Sequence, residues 1–367
     1  MKTLFDQTEY GGLKLKNRFM RSATFDGRAD EHGHLTKELF EVYENLAKGG
    51  VGTIITGLAY VTNLEQPYPG QLGIYDDSFI EEYSKFTAMC HKYDANIIVQ
   101  LACLGSQTYL KEGGGKTMWG ASAVEDLGYK GTPRALTVEE IHHVQQAFAD
   151  AALRAKRAGF DGVQLHAAHG YLLSKFLTPY YNRRTDHYGG GIENRAKMLL
   201  ETYQAVREKV GPAYPVLVKI NSEDYMADGM TFRECKYVCK KIAALGGVSM
   251  LEISGGSLSS RPNEGYARQI TQEQESYFKA QAAEIAKEND VPVILVGGNR
   301  NFAALTDILN NTHIAYVAFC RPLICESQLI NRWQAGDLRP AKCISCGKCF
   351  HPNGTSCIFN RPKTDAL

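Results

Sequence analysis

Two histidines and a tyrosine stand close together in the segment Gln-Leu-His-Ala-Ala-His-Gly-Tyr, which ends at Tyr171. The imidazole N–H groups of His166 and His169 are suited to donate hydrogen bonds to a substrate carbonyl and to stabilise an enolate as it forms. A tyrosine with an ordinary pKa of about 10 is almost fully protonated at pH 7, so Tyr171 can act as a proton donor. The alternative is that both histidines are structural residues satisfied by backbone groups.

These three residues follow the fourth of eight short apolar segments, which alternate with longer amphipathic ones. The short segments predict strands at Lys16–Thr24, Gly52–Val61, Asn96–Ala102, Gly159–His166, Pro215–Asn221, Ser249–Gly255, Val291–Gly297 and Ile314–Cys320. The longer segments predict helices at Thr36–Lys48, Asp77–Tyr93, Thr137–Ala158, Glu193–Val210, Thr231–Leu245, Thr271–Asn289, Asn301–Leu309 and Glu326–Ala335. Continuous apolar runs such as Val-Ile-Leu-Val in the seventh strand are typical of strands buried on both faces of a parallel sheet.

Eight strand–helix units predict an α/β fold of the (β/α)8 TIM-barrel type, and an open doubly wound sheet is the competing arrangement. A barrel carries its chemistry at the carboxyl ends of its strands, which is where the two histidines and the tyrosine fall. The segment Leu104–Leu136 after the third strand is rich in Gly, Lys and Ser and predicts a long lid loop. We therefore expect a barrel over residues 1–338 and a short cysteine-rich C-terminal extension over residues 339–367.

Charge and composition narrow the range of partners. The chain has 41 basic and 40 acidic residues and a net charge of +1. No run of like charge stands out, so neither nucleic acid nor a membrane surface is expected as a partner, and association of identical chains stays open. The N-terminus lacks the apolar core of a signal peptide, and no stretch approaches the ~18 apolar residues of a bilayer span. A cytoplasmic protein with its ten cysteines as thiols or metal ligands is expected.

A longer signature surrounds the histidines. From Leu165 the sequence is Leu-His-Ala-Ala-His-Gly-Tyr-Leu-Leu-Ser-Lys-Phe-Leu-Thr-Pro, then Asn-Arg-Arg-Thr-Asp-His-Tyr-Gly-Gly from Asn182, and finally Glu-Asn-Arg ending at Arg195. This signature resembles the Old Yellow Enzyme family of NADH:flavin oxidoreductases. The similarity extends from about Leu4 to Pro340 and is closest to the barrel domain of the 2,4-dienoyl-CoA reductase and trimethylamine dehydrogenase branch.

The resemblance implies FMN across the barrel mouth and NAD(P)H as its reductant. It implies that the reduced flavin passes a hydride from N5 to the β-carbon of an α,β-unsaturated carbonyl compound, a small-molecule enone. His166 and His169 match the pair that holds the carbonyl. Tyr171 matches the proton donor to the α-carbon.

Two polar residues end strands where a flavin needs partners. The Gln100 amide can both donate and accept, which suits the pyrimidine edge of a flavin, and it matches the family's glutamine. Lys219 lies in an apolar run, where an unpaired charge is expensive, and a reduced flavin anion would supply its partner. Family members more often have arginine at that position. A structural salt bridge from Lys219 to Glu223 or Asp224 is the alternative.

Loops after other strands complete the predicted flavin site. The segment Ser22, Ala23, Thr24 and Phe25 resembles the family's segment beside the flavin ring. Gly57 would let the ring approach the backbone. Glycine N–H groups and an arginine after the last strands predict a phosphate cradle, as is frequent in such barrels. Its predicted residues are Gly297, Gly298, Asn299, Cys320 and Arg321, with Ser254, Gly255 and Gly256 after the sixth strand.

Four cysteines crowd into the C-terminal extension as Cys343-x2-Cys346-x2-Cys349-x7-Cys357. Four thiolates suit a [4Fe–4S] cluster or tetrahedral zinc. The segment resembles the iron–sulfur segment of the 2,4-dienoyl-CoA reductase branch, although those relatives have a longer gap before the fourth cysteine. Iron–sulfur ligation is therefore favoured over free thiols, with zinc third.

Three functions are compatible with these patterns. The first is an FMN-dependent ene-reductase. The second is a flavin and iron–sulfur dehydrogenase that oxidises an amine and passes electrons to a partner. The third is a barrel that binds flavin without catalysis. The intact set of two histidines and a tyrosine favours the first.

Overall fold

The computed structural model describes residues 1–110 and 115–361. Residues 111–114 of the predicted lid and 362–367 of the C-terminal extension lie outside the described residues. Among the helices within that range, none has both the length and the apolar character required to cross a bilayer.

Eight parallel strands form a closed barrel. They are β1 (Phe19–Arg21), β2 (Thr53–Tyr60), β3 (Asn96–Ala102), β4 (Gly162–Ala167), β5 (Val216–Asn221), β6 (Val248–Ser254), β7 (Val293–Leu295) and β8 (Tyr316–Phe319). Each strand pairs with the next, and β8 pairs with β1. This closure confirms the predicted (β/α)8 fold and excludes the open sheet.

Eight helices follow the strands in turn. They are α1 (Lys37–Lys48), α2 (Phe79–His91), α3 (Val138–Arg157), α4 (Lys197–Val210), α5 (Phe232–Ala244), α6 (Lys279–Glu288), α7 (Phe302–Asn311) and α8 (Leu329–Gln334). Capping boxes at Thr137 and Thr231 begin α3 and α5. The side chain of each threonine accepts from the backbone N–H of the glutamate three residues later, and the side chain of that glutamate accepts from the backbone N–H of the threonine.

Several short helices and strands lie outside the eight strand–helix units. Additional short helices lie at Leu172–Leu177, Ile192–Arg195 and Arg321–Cys325. Short strands lie at Thr8–Tyr10, Leu13–Leu15, Leu72–Gly73, Trp119–Gly120 and Arg134–Ala135. The helix Leu172–Leu177 begins directly after Tyr171 and is buried along its whole length, so the residue before it is held close to the barrel.

The predicted start of the sixth helix at Thr271 is wrong, because α6 begins at Lys279. Half of the expected capping box is present, since the Thr271 N–H donates to Gln274 Oε1 at 3.0 Å. The helix does not continue because Ser276 has a φ of +55° and the Tyr277 N–H donates to the Gly297 carbonyl instead. Long-range contacts with the loop after β7 thus override the local helix signal.

The predicted first strand, Lys16–Thr24, is longer than β1. Its first residues turn before the sheet, where Asn17 Oδ1 accepts from the Phe19 N–H at 3.1 Å. Its last residues leave the sheet after Ser22, whose N–H still donates to the Phe319 carbonyl. The segment that follows, through Phe25, is therefore free to line the mouth of the barrel.

The C-terminal extension crosses the carboxyl end of the barrel. The Arg300 guanidinium after β7 donates to the Cys343 carbonyl at 3.0 Å. Thr355 donates its hydroxyl to the Phe25 carbonyl at 2.6 Å, and its N–H donates to the Asp26 carbonyl at 2.7 Å. The extension is thereby tied to the loops after β1 and β7.

Candidate active site

A cavity opens at the carboxyl ends of the strands. The residues predicted to act on substrate or flavin that line it are Ser22, Ala23, Thr24, Phe25, Gln100, His166, His169, Tyr171, Lys219, Ser254, Gly297, Gly298, Asn299, Cys320 and Arg321. Its wall also includes Tyr266 and Arg300, together with Tyr277, which sequence reasoning missed. Each of the eight strands contributes lining residues at or just after its carboxyl end, so the predicted groups meet in this cavity.

Three of the predicted glycines do not line this cavity. A Cβ at Gly57 would lie 2.8 Å from the Thr24 carbonyl oxygen, so glycine is needed for the loop after β1 to pack there. A Cβ at Gly255 would lie within 2.8 Å of the Phe278 and Tyr225 rings, and Gly256 has a φ of +71°. These positions shape the loops around the cavity and do not line it.

The two histidines and the tyrosine come together as predicted. The ring centroids of His166 and His169 are 5.1 Å apart, and those of His166 and Tyr171 are 4.5 Å apart. Within the described residues, the buried Nδ1 of His166 has no hydrogen-bond partner. A buried polar atom without a partner at the edge of a cavity fits a ligand that would supply the missing bond.

Both imidazoles are held neutral. Burial lowers the pKa of His166 and of His169 well below the ordinary value, and the Lys219 charge lowers both further. A neutral imidazole keeps one N–H donor and one acceptor nitrogen. Each neutral ring has one N–H for a carbonyl without bringing a positive charge into the site, and for His169 this requires that Nε2 accept from Ser254 Oγ.

His169 is fixed by contacts from three directions. Its φ of +63° is unusual for a residue with a side chain. Its N–H donates to Asn221 Oδ1 at 3.1 Å, its Nε2 lies 2.7 Å from Ser254 Oγ, and its ring stacks on Tyr266 with centroids 4.5 Å apart. These contacts maintain a strained backbone conformation that points the ring into the cavity wall.

The Tyr171 phenol is protonated. Burial raises its pKa well above the ordinary value, and the neighbouring Tyr266 and Tyr129 raise it further. The ring packs against a small apolar cluster of Leu58, Ala102 and Leu104, together with Tyr68. A phenol in this environment is an available proton donor.

A chain of hydrogen bonds joins the polar side chains inside the barrel. Gln100 Nε2 donates to Gln164 Oε1 at 2.8 Å, and Gln164 Nε2 donates to Glu252 Oε2 at 2.8 Å. Ser22 Oγ donates to Glu252 Oε1 at 2.5 Å. Lys219 Nζ lies 2.9 Å from both Glu252 Oε1 and Ser22 Oγ.

The partner of Lys219 is therefore Glu252 and not Glu223 or Asp224, the alternatives that the sequence suggested. The lysine of β5 and the glutamate of β6 stand opposite each other in the parallel register. A lone glutamate in the apolar run of β6 was the signal that sequence reasoning overlooked. An ammonium group has three donors, so one N–H of Lys219 remains for a bound group.

The end of the cavity nearest β7 and β8 combines glycine backbone with arginine. Gly297 has a φ of +112° and a Cβ there would lie 2.7 Å from the Phe278 ring, so only glycine fits. Arg321 donates to the Arg268 carbonyl at 2.8 Å and lines the cavity. Backbone N–H groups beside a guanidinium fit a phosphate group.

The side chain of Asn299, a residue of the predicted phosphate cradle, is engaged within the fold. Its amide donates to the Leu295 and Ala318 carbonyls at 2.9 and 3.0 Å, and its oxygen accepts from Ser276 at 2.8 Å. Since the side chain is fully occupied, it braces β7 against β8. Only the backbone of this residue is available to a ligand.

Three of the four extension cysteines are neighbours, because Cys343 and Cys357 lie close enough to Cys349 to add to the rise that burial causes in its pKa. Cys349 lines the cavity, Cys343 and Cys357 pack with Cys325 in a small apolar cluster, and Cys346 is half-buried. In the part of the chain that the structure describes, no group of three or more His, Cys, Asp or Glu side chains is arranged to hold a metal ion. The predicted four-thiolate cluster is therefore not shown and stays a prediction, and Cys325 was not foreseen as a neighbour.

Comparison with known proteins places the chain in a family. Residues 3–338 match the NADH:flavin oxidoreductase / NADH oxidase family, and the chain belongs to it. An NADH oxidase of Thermoanaerobacter brockii is 33% identical over 373 residues, which cover 97% of this chain and 56% of that protein. The chain thus spans little more than half the length of this relative.

Two solved structures share the fold. A complex of 2-naphthoyl-CoA reductase with 2-naphthoyl-CoA has a TM-score of 0.86 and 26% identity, covering 95% of this chain and 54% of that chain. An old yellow enzyme homologue from Zymomonas mobilis has a TM-score of 0.78 and 25% identity, covering 92% of this chain and 94% of that one. The resemblance that the sequence signature indicated is confirmed.

Proposed function

We propose that this chain is an FMN-dependent ene-reductase that uses NAD(P)H to reduce the C=C bond of an α,β-unsaturated carbonyl compound. One observation carries the proposal: two neutral imidazoles and a protonated phenol meet at one wall of a cavity suited to a flavin. Membership of a family described by NADH and flavin supports the reductant and the cofactor.

The residues present fit FMN. The free donor of Lys219 and the amide of Gln100 would hold the pyrimidine edge. The N–H groups of Gly297 and Gly298, with the Arg321 guanidinium, would hold the phosphate. The loop from Ser22 to Phe25 would lie beside the ring system. We assign these tasks to residues 1–338 and treat residues 339–367 as an extension that adds Cys349 and its neighbours to the cavity wall.

Bound FMN supplies the hydride for the β-carbon. His166 and His169 donate hydrogen bonds to the substrate carbonyl and stabilise the negative charge that develops on its oxygen. Because both rings are neutral, they do not protonate that oxygen. The Tyr171 hydroxyl then gives its proton to the α-carbon, which completes the reduction.

The variant Tyr171→Phe tests this assignment. Without the phenolic proton, reoxidation of the reduced flavin by an enone such as cyclohexenone should slow by roughly a hundredfold or more, the usual contribution of a general acid. Reduction of the flavin by NAD(P)H should be nearly unchanged. Stopped-flow absorbance measures the two half-reactions separately.

The exposed Tyr10 provides a matched control, because it does not line the cavity and Tyr10→Phe removes only its hydroxyl. It should leave both half-reactions unchanged. If Tyr171→Phe reoxidises with an enone as fast as the wild type, Tyr171 is not the proton donor.

The amine-oxidising dehydrogenase with an iron–sulfur cluster is the second candidate from the sequence. The position of Cys349 in the cavity wall is the one observation in its favour. Because the described residues include no group of side chains arranged to hold a metal ion, no step of the proposed reaction runs through these cysteines. Iron analysis of anaerobically purified protein, with a test for turnover in the absence of nicotinamide, separates the two candidates.

A further inference from the structure

We propose that two further tyrosines, Tyr68 and Tyr129, return to Tyr171 the proton that it loses in each catalytic cycle. The inference rests on the proposed function, in which the Tyr171 phenol protonates the substrate. A proton donor must be protonated again before the next turnover. The question is therefore which groups join Tyr171 to water.

The three phenols are contiguous. Tyr68 and Tyr171 pack against the same apolar cluster around Leu58 and Leu104. Burial is the main cause of the raised pKa of both phenols, and their proximity raises the pKa of Tyr68 further and partly lowers that of Tyr171. The hydroxyls of Tyr68 and Tyr129 lie 2.9 Å apart, and the two rings stack with centroids 6.2 Å apart. A line of hydroxyl groups thus leads away from the cavity.

The outer end of this line approaches solvent. Tyr129 is half-buried, and its ring lies 4.8 Å from the ring of Tyr109, which is 69% exposed. Both residues belong to the segment between β3 and α3. A proton taken up at Tyr129 would need to pass only Tyr68 to arrive at Tyr171.

A buried ion pair positions Tyr129. Asp126 Oδ1 accepts from the N–H groups of Gly128 and Tyr129 at 2.8 and 3.0 Å. Its other oxygen pairs with Lys175 and accepts from Ser106 at 3.0 Å. Lys175 lies in the short helix that begins directly after Tyr171. The same helix therefore helps to position both Tyr171 and, through Asp126, Tyr129.

The proton steps balance without any oxidant or reductant. When the Tyr171 O–H bond breaks, its proton forms the new C–H bond at the α-carbon and the oxygen is left negative. The Tyr68 hydroxyl gives its proton to that oxygen, the Tyr129 hydroxyl gives its proton to Tyr68, and water protonates Tyr129. The three phenols share an ordinary pKa of about 10. Burial raises the pKa of Tyr171 and Tyr68 well above that value and raises the pKa of Tyr129 as well, so transfer from the outer phenol towards Tyr171 is not uphill. One proton is taken from solvent for each alkene reduced.

The variant Tyr129→Phe tests the relay by comparing one turnover with many. Pre-reduced enzyme starts with Tyr171 protonated, so its single reoxidation by cyclohexenone should keep the wild-type rate. Steady-state kcat at saturating NAD(P)H should fall by roughly tenfold, less than the loss of a direct proton donor produces. Small acidic buffers should restore kcat in the variant, and the wild type should be insensitive to buffer concentration.

Two other variants keep the test decisive. Tyr68→Phe should reproduce the pattern, and it stands in if Tyr129→Phe does not fold. Tyr109→Phe removes the hydroxyl of the exposed neighbour and should leave single-turnover rate, kcat and buffer dependence unchanged.

Each unfavourable outcome points to a definite conclusion. If Tyr129→Phe and Tyr68→Phe slow the single turnover as much as kcat, these residues only position Tyr171 and the relay is wrong. If neither variant changes kcat, the relay is also wrong. If Tyr171→Phe itself reduces enones normally, the proposed function fails and the relay fails with it. If Tyr171→Phe is slow while the relay variants are normal, only the relay fails.

Discussion

The strand ends and the segments beyond them hold their polar groups in different ways. Inside the barrel, Lys219 of β5 and Glu252 of β6 are almost fully buried and lie 2.9 Å apart. Between β3 and α3 and in the C-terminal extension, Tyr129 and Cys349 are half-buried and depend on contacts with distant parts of the chain. Parallel register fixes the first set, whereas the second set is placed by individual loop contacts. We expect mutations to have large effects in the first region and smaller, more specific effects in the second.

The largest effect is expected at the buried ion pair. Lys219→Met removes the positive charge and leaves Glu252 buried without a counter-charge, which should cost about 3–5 kcal/mol of unfolding free energy. The same change removes a predicted flavin contact, so FMN content should fall as well. Urea unfolding and flavin absorbance measure the two effects.

The exposed pair of Lys85 with Glu81 on α2 is the control for that variant. Lys85→Met should leave the unfolding free energy and the FMN content unchanged. Equal losses from Lys219→Met and Lys85→Met would show that the interior of the barrel is no more sensitive than its surface.

A pH-dependent effect is expected at Glu65, in the loop after β2. Burial raises the pKa of its carboxyl to about 7, although bonds from the Cys103 thiol and the Leu104 N–H lower it in part. Since the folded pKa lies above the unfolded value of 4.5, the contribution of this group to stability is complete below pH 4.5 and is lost as pH rises through 7. Glu65→Gln should remove this loss.

The measurement is urea unfolding at pH 5 and at pH 8. The unfolding free energy of Glu65→Gln, taken relative to wild type, should be up to about 3 kcal/mol higher at pH 8 than at pH 5. The amide oxygen of glutamine can still accept from the Leu104 N–H. The exposed Glu208 serves as the control, and Glu208→Gln should give no such gain. A pH-independent difference for Glu65→Gln would contradict the assignment.

The smallest effect is expected where the extension meets the loop after β1. Thr355→Val removes the hydroxyl that donates to the Phe25 carbonyl, at a cost of about 1 kcal/mol. Because Phe25 lines the cavity, FMN should also bind more weakly, as measured by fluorescence titration.

A threonine on the outer helix α7 separates these two effects. Thr306 donates its hydroxyl to the Phe302 carbonyl at 3.0 Å, within its own helix. Thr306→Val should cost a similar amount of stability and leave FMN affinity unchanged. If Thr355→Val also leaves FMN affinity unchanged, the extension does not shape the flavin site.

The fold and the strand-borne part of the site were predictable from the sequence because both follow from periodicity. Apolar runs located all eight strands, and a residue at a strand end must lie at the barrel mouth. Gln100, His166 and Lys219 were found in this way. The partner of Lys219 was missed because Glu252 is distant in sequence and only the register of β5 against β6 brings it opposite.

The loop-borne part could not be derived from local patterns. Residues 271–278 carry a helix-start signal, yet contacts with the loop after β7 prevent the helix from forming there. The Tyr68–Tyr129 hydrogen bond joins two loops that follow different strands, and no spacing of residues in the sequence predicts it. The regular cysteine spacing predicted a four-thiolate site, and nothing in that spacing indicated that Cys325 packs with Cys343 and Cys357.

The most direct test is an anaerobic absorbance experiment on the full chain reconstituted with FMN. The account predicts that the protein binds FMN, that NAD(P)H bleaches the flavin band, and that cyclohexenone restores it in the wild type but only slowly in Tyr171→Phe. A chain that takes up no FMN would contradict the account, as would a bound flavin that NAD(P)H reduces and no enone reoxidises.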